Sequence, residues 1–286
     1  IDLSGVNRLA ATLVLNVERD VRDALKRRWA DEARVVDVDD PVATGPDEHL
    51  ESKPMIDDRE LPVDAADLPA VRAWLTDIVH GDADLVIGIS NVVPHNLAGW
   101  SGGAKIIQPG VCGAETTNRT HAIAMMSPTP HVGRLDNPLR VEVEQVVERA
   151  RLNFFSINVV LNRDADIVYL SAGHATQSHR RAVAESEKVW VAPIPALPDI
   201  IVASSHPANV DFWQGSKGLY ACEPVIKRGG DIIMATPCPE RIAIQEHTET
   251  MRALKGLPSR EARHEAARRG LRDLTAVNVV VWLGRL

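Results

Sequence analysis

The sequence predicts an α/β protein of two domains with largely parallel sheets. Three observations predict it. Val- and Ile-rich runs alternate with stretches of helical spacing along most of the 286 residues, the pattern of strand–helix–strand units. One run, ADLVIGIS at 83–90, is apolar enough for a strand buried on both faces. A proline cluster, PIPALPD at 193–199, is the strongest linker signal. It places the boundary between an N-terminal domain, 1–195, and a C-terminal α/β domain, 196–286.

The elements follow in order. Ala11 to Val17 reads as a strand, Asp20 to Ala30 as a charged helix and Arg34 to Val38 as a second strand. Residues 39–66, rich in Asp, Glu and Pro, read as an exposed excursion;. Leu68 to Val79 has helical spacing and stops at Gly81;. The buried strand at 83–90 runs into a Gly-rich stretch from Gly99 to Gly110. Asn137-Pro138 opens a helix over Leu139 to Ala150, with Pro where its missing N–H costs nothing;. Phe154 to Leu161 and Asp166 to Leu170 read as strands, and Thr176 to Glu187 as a helix. Beyond the linker come a strand at Ile200 to Ser204, a mostly helical Phe212 to Lys227 and a strand at Gly230 to Thr236. A helix at Glu240 to Leu254 and a final strand at Ala276 to Leu283 complete the pattern.

Composition narrows the function. The apolar share of 45% and charged share of 25% suit a folded chain and exclude general disorder;. There is no uncharged apolar run of about 18 residues, so no membrane helix is expected;. A net charge of −7 weighs against nonspecific nucleic-acid binding;. Three cysteines without a CxxC pair fit a reducing, cytoplasmic setting and exclude a zinc knuckle;. The chain starts at Ile1 without a leader-like segment and ends on an apolar run, as a fragment or processed chain would;. The glycosylation sequon at Asn118 is discounted as a chance match.

The densest chemistry is His95-Asn-Leu-Ala-Gly-Trp-Ser101-Gly102-Gly103-Ala-Lys105-Ile-Ile-Gln-Pro109-Gly110, directly after a buried strand. Ligands in parallel α/β folds bind just beyond strand carboxyl ends. Ser101, Gly102 and Gly103 offer successive backbone N–H groups to an anion, and Lys105 adds a cation or a nucleophilic amine. Neither the GxxxxGK[ST] nor the GxGxxG spacing is present;. The bland alternative is a tight turn beside an exposed lysine.

This stretch resembles the nickel-dependent lactate racemase family, whose signature is a His followed by GxSGGxKxxxPG. His95, Gly99, Ser101, Gly102, Gly103, Lys105, Pro109 and Gly110 match it. Further matches are His121 in NRTH, Asn137-Pro138, SINVVLN at 156–162 and Trp213-Gln214-Gly-Ser-Lys217-Gly218. The resemblance covers about residues 83–236. It implies a nickel-pincer nucleotide in a cleft between the domains, the N-terminal one binding the cofactor. Lys105 would carry the covalent link to it. Ser101, Gly102 and Gly103 would cradle its phosphate, and His121 would ligate nickel. His95 would be one of two acid/base histidines, with Gln214 and Lys217 contacting substrate. The implied reaction is racemisation or epimerisation of a small 2-hydroxy acid, with cofactor-synthesis proteins as partners. A noncatalytic nucleotide- or carboxylate-binding protein and a nicotinamide-dependent oxidoreductase are the rivals.

The chain departs from the family pattern at its N-terminal end. Residues 1–82 hold no clear counterpart of the second acid/base His or of the substrate-binding Arg; His49, Arg19 and Arg22 are the nearest stand-ins. The family's downstream active-site Trp has no match, because Trp282 sits in the expected final strand. Other residues receive bland readings. His80 reads as a helix-end cap, and His174 and His179 as surface residues. His131, His247 and His264 carry no signal. His206 lies in a strand-end loop of the kind that builds sites. Glu142, Glu144 and Glu148 belong to a solvated helix face, as does the Arg-rich stretch 260–272. Trp100 and Trp213 are core residues or pocket walls.

Overall fold

A computed structural model of the chain describes residues 11–15, 33–37, 85–127, 129–150 and 152–286. The expected helices at 20–30 and 68–79, the excursion at 39–66, and His49, His80, Arg19 and Arg22 lie outside them. Strands β1 (Ala11–Leu15), β2 (Ala33–Asp37), β3 (Val86–Asn91), β6 (Phe154–Leu161) and β7 (Ile167–His174) form one sheet in the order β2-β1-β3-β6-β7. The first four run parallel, as expected. β7 is longer than the sequence suggested and turns back antiparallel on β6. The short β4 (Pro94–His95) and β5 (Gly99–Trp100) form a hairpin just past the end of β3. That position, beyond a central parallel strand, is where such sheets build sites.

Helices cover this sheet. α1 (Ala114–Met126) follows the Gly-rich stretch, in which Gly103–Ile106 forms a 3-10 turn. In α2 (Pro138–Arg149), Asn137 caps the first turn by accepting from Arg140 N–H, with Pro138 at the tolerated first position;. α3 (Ala175–Trp190) buries Ala175, Ser178, His179, Ala182, Val183 and Ser186. That stripe of mostly small side chains at helical spacing lets the helix approach the sheet closely. His179 is therefore fully buried and not the surface residue expected. Glu142 is also buried, and Glu144 pairs with Arg180 at 2.8 Å, so only Glu148 keeps the solvated position expected of all three.

Beyond residue 196, β8 (Ile200–Ser204) and β9 (Asp231–Ala235) pair in parallel as a two-stranded sheet. The expected helix at 212–227 is two single turns, α4 (Phe212–Gly215) and α5 (Lys217–Tyr220). They are followed by α6 (Gln245–Ala253), α7 (Ser259–Arg269) and α8 (Leu274–Leu283). α8 corrects the expected final strand. Residues 274–282 are buried throughout, so the run shows neither the two- nor the 3.6-residue period;. Asp273 accepts from Ala276 N–H and starts a helix instead;. Packing of α8 against α1, α6 and α7 then overrides the strand preference of its valines;. Asn118 of α1 accepts from the backbone and hydroxyl of Thr275, which fixes α1 against the start of α8.

Candidate active site

The loop at 91–103 is held from behind. The guanidinium of Arg140, fully buried on α2, donates to the carbonyls of Ala98, Trp100 and Gly102. His179 donates Nε2–H to the Ser101 carbonyl at 2.7 Å. Asn158, fully buried on β6, accepts from Gly103 N–H at 2.9 Å and from the Ser90 hydroxyl, and donates to Ser156 and Ser178. Ser101 Oγ donates to the Asn91 carbonyl and accepts from Val93 N–H, while Ser101 N–H donates to the Val93 carbonyl. The amides of Ser101 and Gly103, expected to face an anion, are thus committed inside the protein. This corrects the phosphate-cradle reading for those two groups.

Gly102 and Gly103 serve close packing. Both have left-handed backbones, at φ 80° and 61°. A Cβ at Gly102 would meet Val92 and Ser90 within 3 Å, and one at Gly103 would meet His179 at 2.9 Å;. Trp100 lies in the core with Val92, Val160 and Val183.

Four of the expected side chains come together. His95 is held well below its ordinary pKa by burial, then by the charges of Lys105, Lys217, Arg140 and His121. Its Nδ1 accepts from the amides of Leu97 and Ala98, both at 3.2 Å. The proton of the neutral ring therefore sits on Nε2. Burial, Arg140 and Lys217 lower the Lys105 amine to about 8. That leaves roughly a tenth of the amine unprotonated and nucleophilic at pH 7, far more than for an ordinary lysine. No ion pair neutralises Lys105 among the described residues.

His121, two turns into α1, donates Nδ1–H to the Thr117 carbonyl at 2.8 Å. Its Nε2 lone pair is thereby free to ligate, the arrangement of a metal-binding His oriented by a carbonyl. Burial lowers its pKa to about 4, so it stays unprotonated at neutral pH.

Lys217 and Gln214 come from the turns α4 and α5. Asp211 caps α4 by accepting from Gln214 N–H at 2.6 Å. Lys217 Nζ lies 6.0 Å from the centre of the Trp213 ring. Burial lowers the pKa of its ammonium, opposed by Asp211. Tyr220 hydrogen-bonds Asn96, tying these turns to the His95 loop. Together the groups make a cation-rich site suited to an anionic cofactor and a carboxylate.

Sequence reasoning missed several residues. Arg140 and Asn158 looked like ordinary members of a helix and a strand, and only their burial shows what they hold. His131 donates Nδ1–H to the Leu97 carbonyl at 2.7 Å, behind the His95 loop. His247 pairs with Asp273 and lies against Trp213, although its sequence context carried no signal. His206, by contrast, is exposed.

Residues 74–133 match the lactate racemase N-terminal domain family. Two curated relatives are lactate racemases, from Thermoanaerobacterium thermosaccharolyticum (31% identical over 164 residues) and Lactiplantibacillus plantarum (30% over 172). Over the matched residues the chain is similar to lactate racemases. The matches cover 56% and 58% of this chain but only 38% and 40% of those relatives.

The solved structure of the T. thermosaccharolyticum lactate racemase apoprotein superposes with a TM-score of 0.62 at 25% identity. That match covers 73% of this chain and 51% of the apoprotein. A Thermotoga maritima protein shares the fold over 98% of this chain and 79% of its own, with a TM-score of 0.65 at 16% identity. The matched family domain contains the loop, Lys105 and His121, while Gln214, Lys217, His247 and Asp273 lie beyond it. Among the described residues no three His, Cys, Asp or Glu gather as a metal cluster. No described helix is long and apolar enough to cross a membrane.

Proposed function

We propose that the chain racemises or epimerises a small 2-hydroxy acid such as lactate, using a nickel-pincer nucleotide held at this site. One observation carries the reading. His95, Lys105, His121 and Lys217 share one electrostatic neighbourhood, with the Lys105 amine lowered to about 8 and His121 presenting a bare Nε2. The residues fit the group: Lys105 as the covalent anchor, His121 as the single protein ligand to nickel, and the surrounding cations for its phosphate. Gly102, with Ser101 and Gly103 shaping the loop around it, belongs to the cofactor-facing wall in this reading. When bound, the nickel-pincer nucleotide supplies an acceptor for the hydrogen and electron pair on carbon 2, so no carbanion has to form.

The chain's own groups handle the rest. Lys217 pairs with the substrate carboxylate, and Gln214 hydrogen-bonds substrate or cofactor. His95 presents Nε2–H to the oxygen on carbon 2. A neutral imidazole polarises a forming carbonyl there, and the positive charges around it keep it neutral;. A carbonyl carbon is planar, so return of the hydrogen to either face interconverts the two hands. The division at 195/196, with the substrate closed between the two parts, belongs to the same proposal. So do a cytoplasmic setting and a dependence on cofactor-making proteins.

The test is intact-mass and nickel analysis of chain co-produced with the cofactor-making proteins, with L-lactate conversion followed by chiral chromatography. We expect an adduct on Lys105, about one nickel per chain, and D-lactate formation. All three should be absent in Lys105→Ala. A full-length wild-type chain with neither adduct nor nickel, beside a loaded relative, would sink the reading and favour a noncatalytic binding role.

A further inference from the structure

We propose that the C-terminal part of the chain binds a small anionic amphiphile, a medium-chain fatty acid by chemical class, in the groove between α4, α6 and the end of α8. None of the groups of the candidate active site lines this groove, so the inference stands apart from the racemase reading.

The groove has the size and the walls of a ligand site. Its volume is about 660 Å³, inside the range of about 300–1,000 Å³ typical of small-molecule sites. Met251 and Val280, each only 6% exposed, line it from the hydrophobic cluster around α8. Phe212, Ile242, Leu257 and Leu283 pack against the same cluster but remain partly open to water. Covering such side chains with an apolar group is favourable.

The charge in the groove has one sign. Arg252 and Lys255 both line it and are exposed, and no Asp or Glu is among its lining residues. Neither cation forms an ion pair among the described residues. Arg252 stands in the last turn of α6, where the negative end of the helix favours a cation;. Lys255 lies past that helix, in the loop toward α7 that walls the groove. Apolar sides with two cations fit an apolar body that carries one anionic head. A cationic amphiphile would meet like charge. A second copy of the chain, docked on the same groove about a two-fold axis, would bring these cations from both chains to one interface.

The groove also touches the turn that carries part of the candidate site. Phe212 N–H donates to the Arg241 carbonyl and Trp213 N–H to the Ile242 carbonyl, both at 2.8 Å. Two walls, Phe212 and Ile242, are thus tied to the segment bearing Trp213 and Gln214. A ligand between those walls is expected to register at the Trp213 indole.

Calorimetric titration of the chain with dodecanoate, below its micelle concentration, tests this, together with methyl and indole NMR. We expect one saturable site with a Kd on the order of 10–100 μM, the scale of about ten buried CH₂ groups less the cost of association. The methyl signals of Met251, Leu257, Val280 and Leu283 and the Trp213 indole signal should shift together. Leu283→Trp, which fills the groove, should abolish binding. Arg252→Gln with Lys255→Gln changes only exposed side chains and should weaken binding about tenfold. Dodecyltrimethylammonium should bind the wild type at least about tenfold more weakly than dodecanoate. Absence of saturable binding overturns the proposal. So does binding that both variants leave unchanged, or equal affinity for the two amphiphiles. Groove signals that shift with protein concentration alone would assign the groove to a second copy and overturn it as well.

Discussion

Burial at single residues has consequences that pH exposes. His121 and His179 are held at about 4 and about 3, in each case mainly by burial, against 6.5 for a free histidine. The unfolded chain therefore binds more protons than the folded one below about 6.5. Stability from these groups is complete above that pH and is lost as pH falls toward the two folded values. The guanidinium midpoint should be level near pH 7 and decline steadily toward pH 4. His179→Gln, though less stable at neutral pH, should decline less steeply; an equal slope would show that other groups govern acid unfolding. For Lys105 the direction in chemical terms is different. Its amine is freed of its proton near 8 instead of 10.5. In competitive acylation read by peptide mass, Lys105 should reach half its maximal rate near pH 8, well before an exposed lysine. A half-maximum near 10.5 would remove the basis for its nucleophilic role.

Within elements, the site depends on caps and close approaches. Asn137 both caps α2 and donates to the Arg134 carbonyl, at 2.8 and 2.7 Å. Asn137→Ala should cost about 1–2 kcal/mol in chemical denaturation, the usual scale for a lost cap with a second bond. Gly99 is under a sharper constraint. Its φ is 75°, and a Cβ there would fall 1.7 Å from the Arg134 carbonyl oxygen. Gly99→Ala should therefore be the worse of the two, at roughly 4 kcal/mol or more, or should fail to give folded protein. Finding Gly99→Ala as mild as Asn137→Ala would mean the hairpin end can shift freely, contrary to the anchoring by Arg140. The family signature thus contains residues of two kinds. Gly99, Gly102 and Gly103 shape and pack the loop, whereas His95 and Lys105 are buried titratable groups among neighbouring cations.

Across the whole molecule, α8 links the C-terminal turns to α1. Trp282 donates Nε1–H to Glu223 Oε2 at 2.7 Å and lies against Tyr220, with ring centres 4.1 Å apart. Arg285 pairs with the same Glu223 and donates to the Ser127 carbonyl at the end of α1. This network joins the segment carrying Lys217 to the helix carrying His121. Trp282→Phe keeps the ring contact but removes a bond to a carboxylate. We expect a loss of about 1.5–3 kcal/mol in equilibrium denaturation. In loaded enzyme, KM should rise more than kcat falls, because the loosened turns carry Lys217, the carboxylate partner proposed above. Unchanged stability and KM would show that α8 does not hold those turns.

Much of this was legible in the sequence. Strand–helix alternation predicted the parallel sheet, and the spacing from His95 through Lys105 to His121 singled out titratable residues that the fold buries near one another. Local signals sufficed there: hydrophobic period, a proline-led helix start, and residue types whose chemistry is their own. Tertiary structure decided what depends on surroundings. It made a helix of the valine run at 274–283, because uniform burial erases the period that separates helix from strand. It turned the Ser101 and Gly103 amides inward, because Val93 and Asn158 offer them acceptors. It also drew His247 and Asp273 together from positions 26 residues apart. A hydrogen bond fixes a ring's proton, and neither partner reveals that bond until the chain has folded.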